Sequence, residues 1–152
     1  MFDEEAVRIY TDGGCRNEVG GWAWWVEGTD RERSGSEYPS TNQRMELWAA
    51  LNAIRANYDV PEIKIVSDSA YLVNCFWDRW YDNWFKNDWR SPRGNPIANR
   101  DIWEPLVDLV LLHRGISFEK VKGHTGEKGN TYVDRMASAA IAVATHSLVK
   151  EQ

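Results

Sequence analysis

The strongest periodic signal in the chain is helical. From Thr41 to about Asn57, apolar residues return at Leu47, Ala50, Leu51 and Ile54. Their spacing of i, i+3, i+4 and i+7 is the stripe by which a helix faces a core. One carboxylate, Glu46, lies within a turn of that stripe. Ser40 or Thr41 can cap the start, and Ser40 with Gln43 three residues on reads as a capping box. Ahead of this helix the period is two. Ala6–Thr11 (AVRIYT) predicts a strand ending at Asp12, followed by a glycine-rich turn, DGGCRNEVGG. Gly21–Val26 (GWAWWV) predicts a second strand. Arg31–Tyr38, polar and interrupted by Gly35, predicts a third at a sheet edge.

Beyond the helix, Ile63–Ser67 is a compact apolar strand that ends at Asp68. SAYLVNCFW follows as a short helix with Leu72, Val73 and Phe76 inward. Arg79–Asn99 has no clean period but carries Trp80, Trp84, Phe85 and Trp89 among Lys86, Arg90 and Arg93. A helix is expected over Ile102–His113, stopped by Gly115; Pro105 makes it begin late or kink. Ile116–Val121 is the last strand and KGHTGEKGN a loop. A final helix, capped by Asn130 or Thr131, turns Val133, Ala137, Ala140, Ile141 and Ala144 inward. The order βββ-α-β-α-α-α-β-α predicts an α/β fold in a single domain over residues 1–152. Three strands form an antiparallel meander, and two more arrive in parallel through helical crossovers. The result is a mixed five-stranded sheet with helices on both faces.

Composition narrows the class. With 43% hydrophobic and 27% charged residues the chain reads as a soluble globular domain. No apolar run reaches the ~20 residues of a membrane span, and the acidic start MFDEE does not read as a signal peptide. Cys15 and Cys75 form no disulfide framework or metal spacing, which points to a reduced, cytoplasmic setting. The net charge of −5 argues against a non-specific polyanion binder. It leaves room for a nucleic-acid enzyme whose local charges and bound cations make the contact. Nine tryptophans supply rings that either bury or stack on bases and sugars.

Four acids are the candidate chemistry. Asp12 and Asp68 each close a predicted strand. If those strands are adjacent and parallel, both emerge at the sheet edge where open α/β sheets bind ligands. Glu46 lies on the following helix, and Asp134 in the predicted first turn of the last one. Two unit charges ~4 Å apart repel by roughly 4 kcal/mol at an effective dielectric near 20. Either these acids are ordinary turn and helix-start residues that do not converge, or a cation joins them. Oxygen donors select Mg²⁺ or Mn²⁺. Two such ions roughly 3.5–4 Å apart activate water against a phosphodiester.

YTDGGC, TNQRMELWAAL, IVSDSAYLVN, VKGHTG and VDRMASAA, in this order and spacing, resemble type 1 ribonuclease H over nearly the whole chain. The resemblance implies the ribonuclease H-like fold. It also implies cleavage of the RNA strand of RNA/DNA hybrids with two Mg²⁺ ions, leaving 5′-phosphate and 3′-hydroxyl ends. The family's four metal-binding acids fall on Asp12, Glu46, Asp68 and Asp134, and its loop histidine on His124, which assists proton movement or product release. Backbone groups of Gly13, Gly14 and Cys15 are expected along the RNA strand, with Asn17, Asn42 and Gln43 reaching 2′-hydroxyls or base edges in the wide minor groove. On the DNA side the resemblance places Trp80 and Trp84 under a deoxyribose, Lys86, Arg90 and Arg93 on phosphates, and Thr41 and Asn99 in a phosphate pocket. Trp89 and Trp103 are expected in the core. The first turn is shorter than the family's proline-containing version. From Lys86 to Arg100 the balance is four positive residues against one negative, which predicts weaker and more salt-sensitive hybrid binding than in a strongly basic relative. The rivals are an integrase or resolvase of the same fold group and a non-catalytic hybrid-binding module. No membrane partner is expected, and the chain is expected to be a monomer.

Overall fold

The structure, a computed structural model, describes residues 6–123 and 127–150. Strands β1 (Val7–Arg16), β2 (Val19–Val26) and β3 (Glu32–Glu37) precede helix α1 (Asn42–Ala56). Then come β4 (Ile63–Ser67), α2 (Ala70–Trp77), α3 (Tyr81–Lys86), α4 (Arg100–His113), β5 (Ile116–Lys120) and α5 (Lys128–Lys150). The strands form one mixed sheet in the order β3-β2-β1-β4-β5. β1 pairs antiparallel with β2, as β2 does with β3, while β1–β4 and β4–β5 are parallel. The predicted meander and crossovers are both present.

Alternation along β1 sorts its side chains between two layers. Ile9 joins the larger core, which includes Leu47, Leu51 and Ile54 of α1 and Trp103, Leu106 and Val107 of α4. Tyr10 faces the other way, into a smaller core with Ala23, Val66, Val133 and Ala137, under α5. The stripe predicted for α1 is fully buried. Thr41 caps this helix, its Oγ accepting from the Arg44 amide at 3.2 Å. The capping box on Ser40 does not form, because Ser40 is buried and its amide donates to the Glu18 carbonyl instead.

The structure corrects three sequence expectations. First, DGGCRNEVGG is not a loop: β1 runs on to Arg16, and the turn is only Asn17 and Glu18, with φ of 52° and 66°. Two positive-φ central residues are what a twist-matched two-residue hairpin needs. Asp12 therefore sits mid-strand opposite Ala23, not at a strand end. The glycines are helix seats. A Cβ on Gly13 would lie 2.2 Å from the Met45 backbone carbonyl carbon of α1, and one on Gly21 would lie 2.4 Å from the Ala137 carbonyl oxygen of α5.

Second, α4 starts at Arg100 and contains Pro105, beyond its first turn. Asn99, left-handed at φ 61°, turns the chain so that its carbonyl accepts from both Ile102 and Trp103. Third, α5 starts at Lys128, so neither Asn130 nor Thr131 is a cap and Asp134 lies in the second turn. The aperiodic stretch before α4 packs by rings rather than by a repeating face. Fully buried Trp103 touches Tyr71, Phe76 and Trp84. Cys15 and Cys75 are free thiols. Among the described residues no helix is long and apolar enough to cross a membrane.

Candidate active site

Asp12, Glu46, Asp68 and Asp134, from four separate elements, line one cleft of about 330 Å³, together with Gly13, Asn42, Asn130 and Thr131. The parallel pairing explains the first two strand acids. Tyr10 stands opposite Val66 in register, so Asp12 and Asp68, each two residues further on, reach the same level of the sheet. The glycine seats explain the helix acids. With no side chain on Gly13, α1 drops onto β1 at Met45 and carries Glu46 over the cleft. With none on Gly21, α5 closes at Ala137 and brings Asp134, nearly one turn earlier, down beside Asp12.

Asp12 is only 8% exposed. Burial pushes its carboxyl up to about 8, and the charges of Asp68 and Asp134 add to the rise. An N–H from Gly13 works against it, while a hydrogen bond with the Asp134 carboxyl favours the protonated form. Burial also raises Glu46, with Asp68 contributing and the Ser69 hydroxyl opposing. Acids that resist losing their protons in this way lack positive charge, and the donors around them are hard oxygens. That set fits Mg²⁺ or Mn²⁺ and not a soft metal. Among the described residues no three acids, histidines or cysteines close into a ready-made cation cage. The acids line an open cleft, where water would complete the shell of a hard cation.

The other expected residues fall in three places. Gly13 and Asn42 are in the cleft, and exposed Gln43 lies beside Asn42 at the helix start. Gly14 and Cys15 follow along β1. Asn17 tips the hairpin, about 16 Å of strand from Asp12 at ~3.3 Å per residue, and does not join the cleft. His124 lies outside the described residues.

Trp80 and Trp84 are half-buried with ring centroids 6.4 Å apart, Trp80 resting on Tyr71 and Trp84 on Trp89 and Trp103. Trp89 and Trp103 are core, as expected. Lys86, Arg90 and Arg93 are exposed beside them, Arg90 donating to the Gly94 carbonyl. Thr41 and Asn99 are gathered at one corner by Arg44, which the sequence reading overlooked. The Arg44 guanidinium holds Asp101 through two 2.9 Å bonds, Glu37 at 3.0 Å and the Asn99 Oδ1 at 3.4 Å. These contacts hold the Asp101 and Glu37 carboxyls below their usual range.

Asn130 and Thr131 were also overlooked, having been read as caps. Once α5 starts at Lys128, Asn130 and Asp134 are four apart on one helix face, a spacing that would have flagged them. A further tie holds the start of α5 to β1. The Tyr10 hydroxyl donates to Glu127 and accepts from Arg8 at 3.1 Å, while Arg8 also holds Glu119 at 2.6 Å.

A family model described as RNase H matches residues 4–142. Ribonuclease H of Chlorobaculum parvum is 39% identical over 142 residues, spanning 91% of this chain and 97% of that protein. Ribonuclease HI of Pseudomonas aeruginosa is 36% identical over 146 residues, spanning 93% of this chain and 97% of that one. A solved foamy viral protease-reverse transcriptase, in complex with dsDNA, superposes with a TM-score of 0.78 at 22% identity, over 92% of this chain and 97% of that one. The same viral protein in complex with an RNA/DNA hybrid gives 0.74 at 22% identity, over 93% of this chain and 21% of that one. At that identity the likeness concerns the fold.

Proposed function

Because the chain belongs to the RNase H family, we propose that its acid-lined cleft hydrolyses the RNA strand of RNA/DNA hybrids with two Mg²⁺ ions, Mn²⁺ substituting. The observation that carries this is the convergence of four carboxylates from four elements, with Asp12 pushed up to about 8 by burial and like charge. In this reading Asp12, Glu46, Asp68 and Asp134 hold the ions. Divalent cations, when bound, acidify water and offset charge on the phosphodiester. Water adds to the phosphorus, the bond to the 3′ oxygen breaks, and that oxygen takes a proton, leaving 5′-phosphate and 3′-hydroxyl ends. His124 assists this proton movement or product release.

The rest of the surface supports a hybrid. Gly13 borders the cleft beside Asp12, and Gly14 and Cys15 continue that line along the RNA strand. Asn42 at the cleft, with Gln43 next to it, can meet 2′-hydroxyls, which only the RNA strand offers. Asn17 reaches the minor groove further out. Trp80 and Trp84 present half-exposed ring surface for a deoxyribose. Lys86, Arg90 and Arg93 take phosphates there, and Thr41 and Asn99 take another. The working unit is a cytoplasmic monomer, a reading that the two free thiols fit.

One assay tests the activity: labelled RNA/DNA hybrid, single-stranded RNA and duplex RNA, each with Mg²⁺ or EDTA. Only the hybrid with Mg²⁺ is expected to be cut. Cleavage of single-stranded RNA, or of the hybrid in EDTA, overturns the proposal. The three phosphate-facing cations predict a log–log slope of hybrid affinity on salt of about −3. Because the slope grows with the number of phosphates neutralised, this corrects the expectation of greater salt sensitivity, and binding weaker than in a strongly basic relative goes with a shallower slope. A slope near zero in a salt titration would remove them from the interface.

A further inference from the structure

Among the described residues of the cleft, Asn130 is the one buried polar residue that the proposed chemistry does not use. It is 5% exposed, and its Oδ1 is sealed from solvent with no hydrogen-bond partner. Its Nδ2 donates to the Asp68 Oδ2 at 3.4 Å. The amide can face only this way, because a carboxylate accepts and does not donate, and the flipped amide would set two acceptors together. Leaving a buried acceptor unmade costs stability, and an apolar side chain of similar size would avoid that cost. Fold stability therefore gives no reason for asparagine at this position.

The neighbours of Asp68 give one. The same Oδ2 lies 3.1 Å from where a Cβ on Gly123 would sit, so backbone closes on it from a second side. Asn130 and Asp134 share a face of α5, four residues apart. One helix thus supplies an acid to the cleft and an amide that grips the acid of another element.

We propose, resting on the metal-dependent reading above, that Asn130 is a positioning residue for Asp68. Its N–H ties down Oδ2, leaves Oδ1 as the free oxygen for a cation, and makes the geometry of Asp68 depend on how α5 is seated. Partners of this kind, one step removed from a metal, fix the orientation of the ligand itself.

The test is free of substrate. Asn130→Leu and Asn130→Ala are compared with wild type by thermal unfolding in EDTA and by calorimetric titration with Mg²⁺. Loss of the amide is expected to weaken Mg²⁺ binding about tenfold, while the melting temperature of Asn130→Leu in EDTA stays level or rises. In cleavage assays the Mg²⁺ concentration for half-maximal rate shifts upward and KM for the hybrid stays put. Where the leucine variant does not fold, the alanine variant is read in its place. A change in Mg²⁺ affinity under about threefold, far below the loss expected of such a partner, overturns the assignment whatever happens to stability. Weakened Mg²⁺ binding in a protein that cuts no hybrid would sink the proposed function and leave this inference standing.

Discussion

Asp12→Asn is expected to lose cleavage to below about one-thousandth of wild type, the scale on which an indispensable group acts, and yet to make the protein more stable in EDTA at pH 8. Both effects come from one carboxyl. Its ionised form is needed in the cleft, and the fold opposes that form. Asp12 titrates at 3.8 unperturbed and is pushed up to about 8 in the native protein, by burial first and then by Asp68 and Asp134. Between these values the native chain holds a proton that the unfolded chain has released. Stability from this group is thus complete below about pH 4 and lost as pH rises through about 8. Each unit of that window is worth up to about 1.4 kcal/mol. Asparagine keeps the shape and carries no charge, so the variant gains on wild type from pH 4 upward and levels off above pH 8. Mg²⁺ reverses the order. It stabilises the state that binds it, and wild type binds it better. Melting curves at pH 5 and pH 8.5, each in EDTA and in Mg²⁺, separate these effects. A variant less stable than wild type at pH 8.5 in EDTA would show that Asp12 is not held against its preference.

The parts of this site that were legible beforehand are those encoded locally. The α1 stripe from Leu47 to Ile54 is a period within one segment, and it buries as written. Asp68 closes a short apolar strand, and that strand ends where its pattern ends. Asp12 reached the right cleft by a wrong route. It was placed at a strand end, and it lies mid-strand, with register rather than termination bringing it level with Asp68. The misread elements depend on distant partners. Nothing near Gly13 distinguishes a turn glycine from one on which a helix some thirty residues later will rest. Gly129 looks like a helix breaker but lies inside α5, where a Cβ would fall 2.4 Å from the Tyr10 ring. That misreading delayed the predicted helix start and turned Asn130 from a cleft residue into a cap. Trp84 and Trp89 differ in burial though five residues apart, and the expected split followed the family's DNA-binding segment, not any period in this one.

Gly13→Ala and Gly14→Ala, one residue apart on the same strand, are expected to differ sharply. A Cβ on Gly13 would meet the backbone of α1, 2.2 Å from the Met45 carbonyl carbon and 2.5 Å from the Glu46 nitrogen. A helix backbone cannot rotate aside as a flexible side chain can. The expected cost is about 3 kcal/mol, the upper end for overpacking, or roughly 6–12 °C in Tm for a domain of this size. A Cβ on Gly14 meets only the Asn42 side chain at 3.8 Å and Ile141 at 3.9 Å, ordinary contact distances. That variant should stay within about 0.5 kcal/mol of wild type. The functional consequence follows from which residue moves. If α1 lifts by about 1 Å, Glu46 moves away from Asp12 by a similar amount, and a displacement of that size costs on the order of a hundredfold in rate. Gly13→Ala should therefore cut hybrid poorly even at temperatures where it is fully folded, with kcat reduced more than KM is raised. Thermal melts together with steady-state kinetics at 15 °C, well below either midpoint, decide it. Equal losses in the two variants would mean that strand glycines matter here for the nucleic acid and not for seating the helix that carries Glu46.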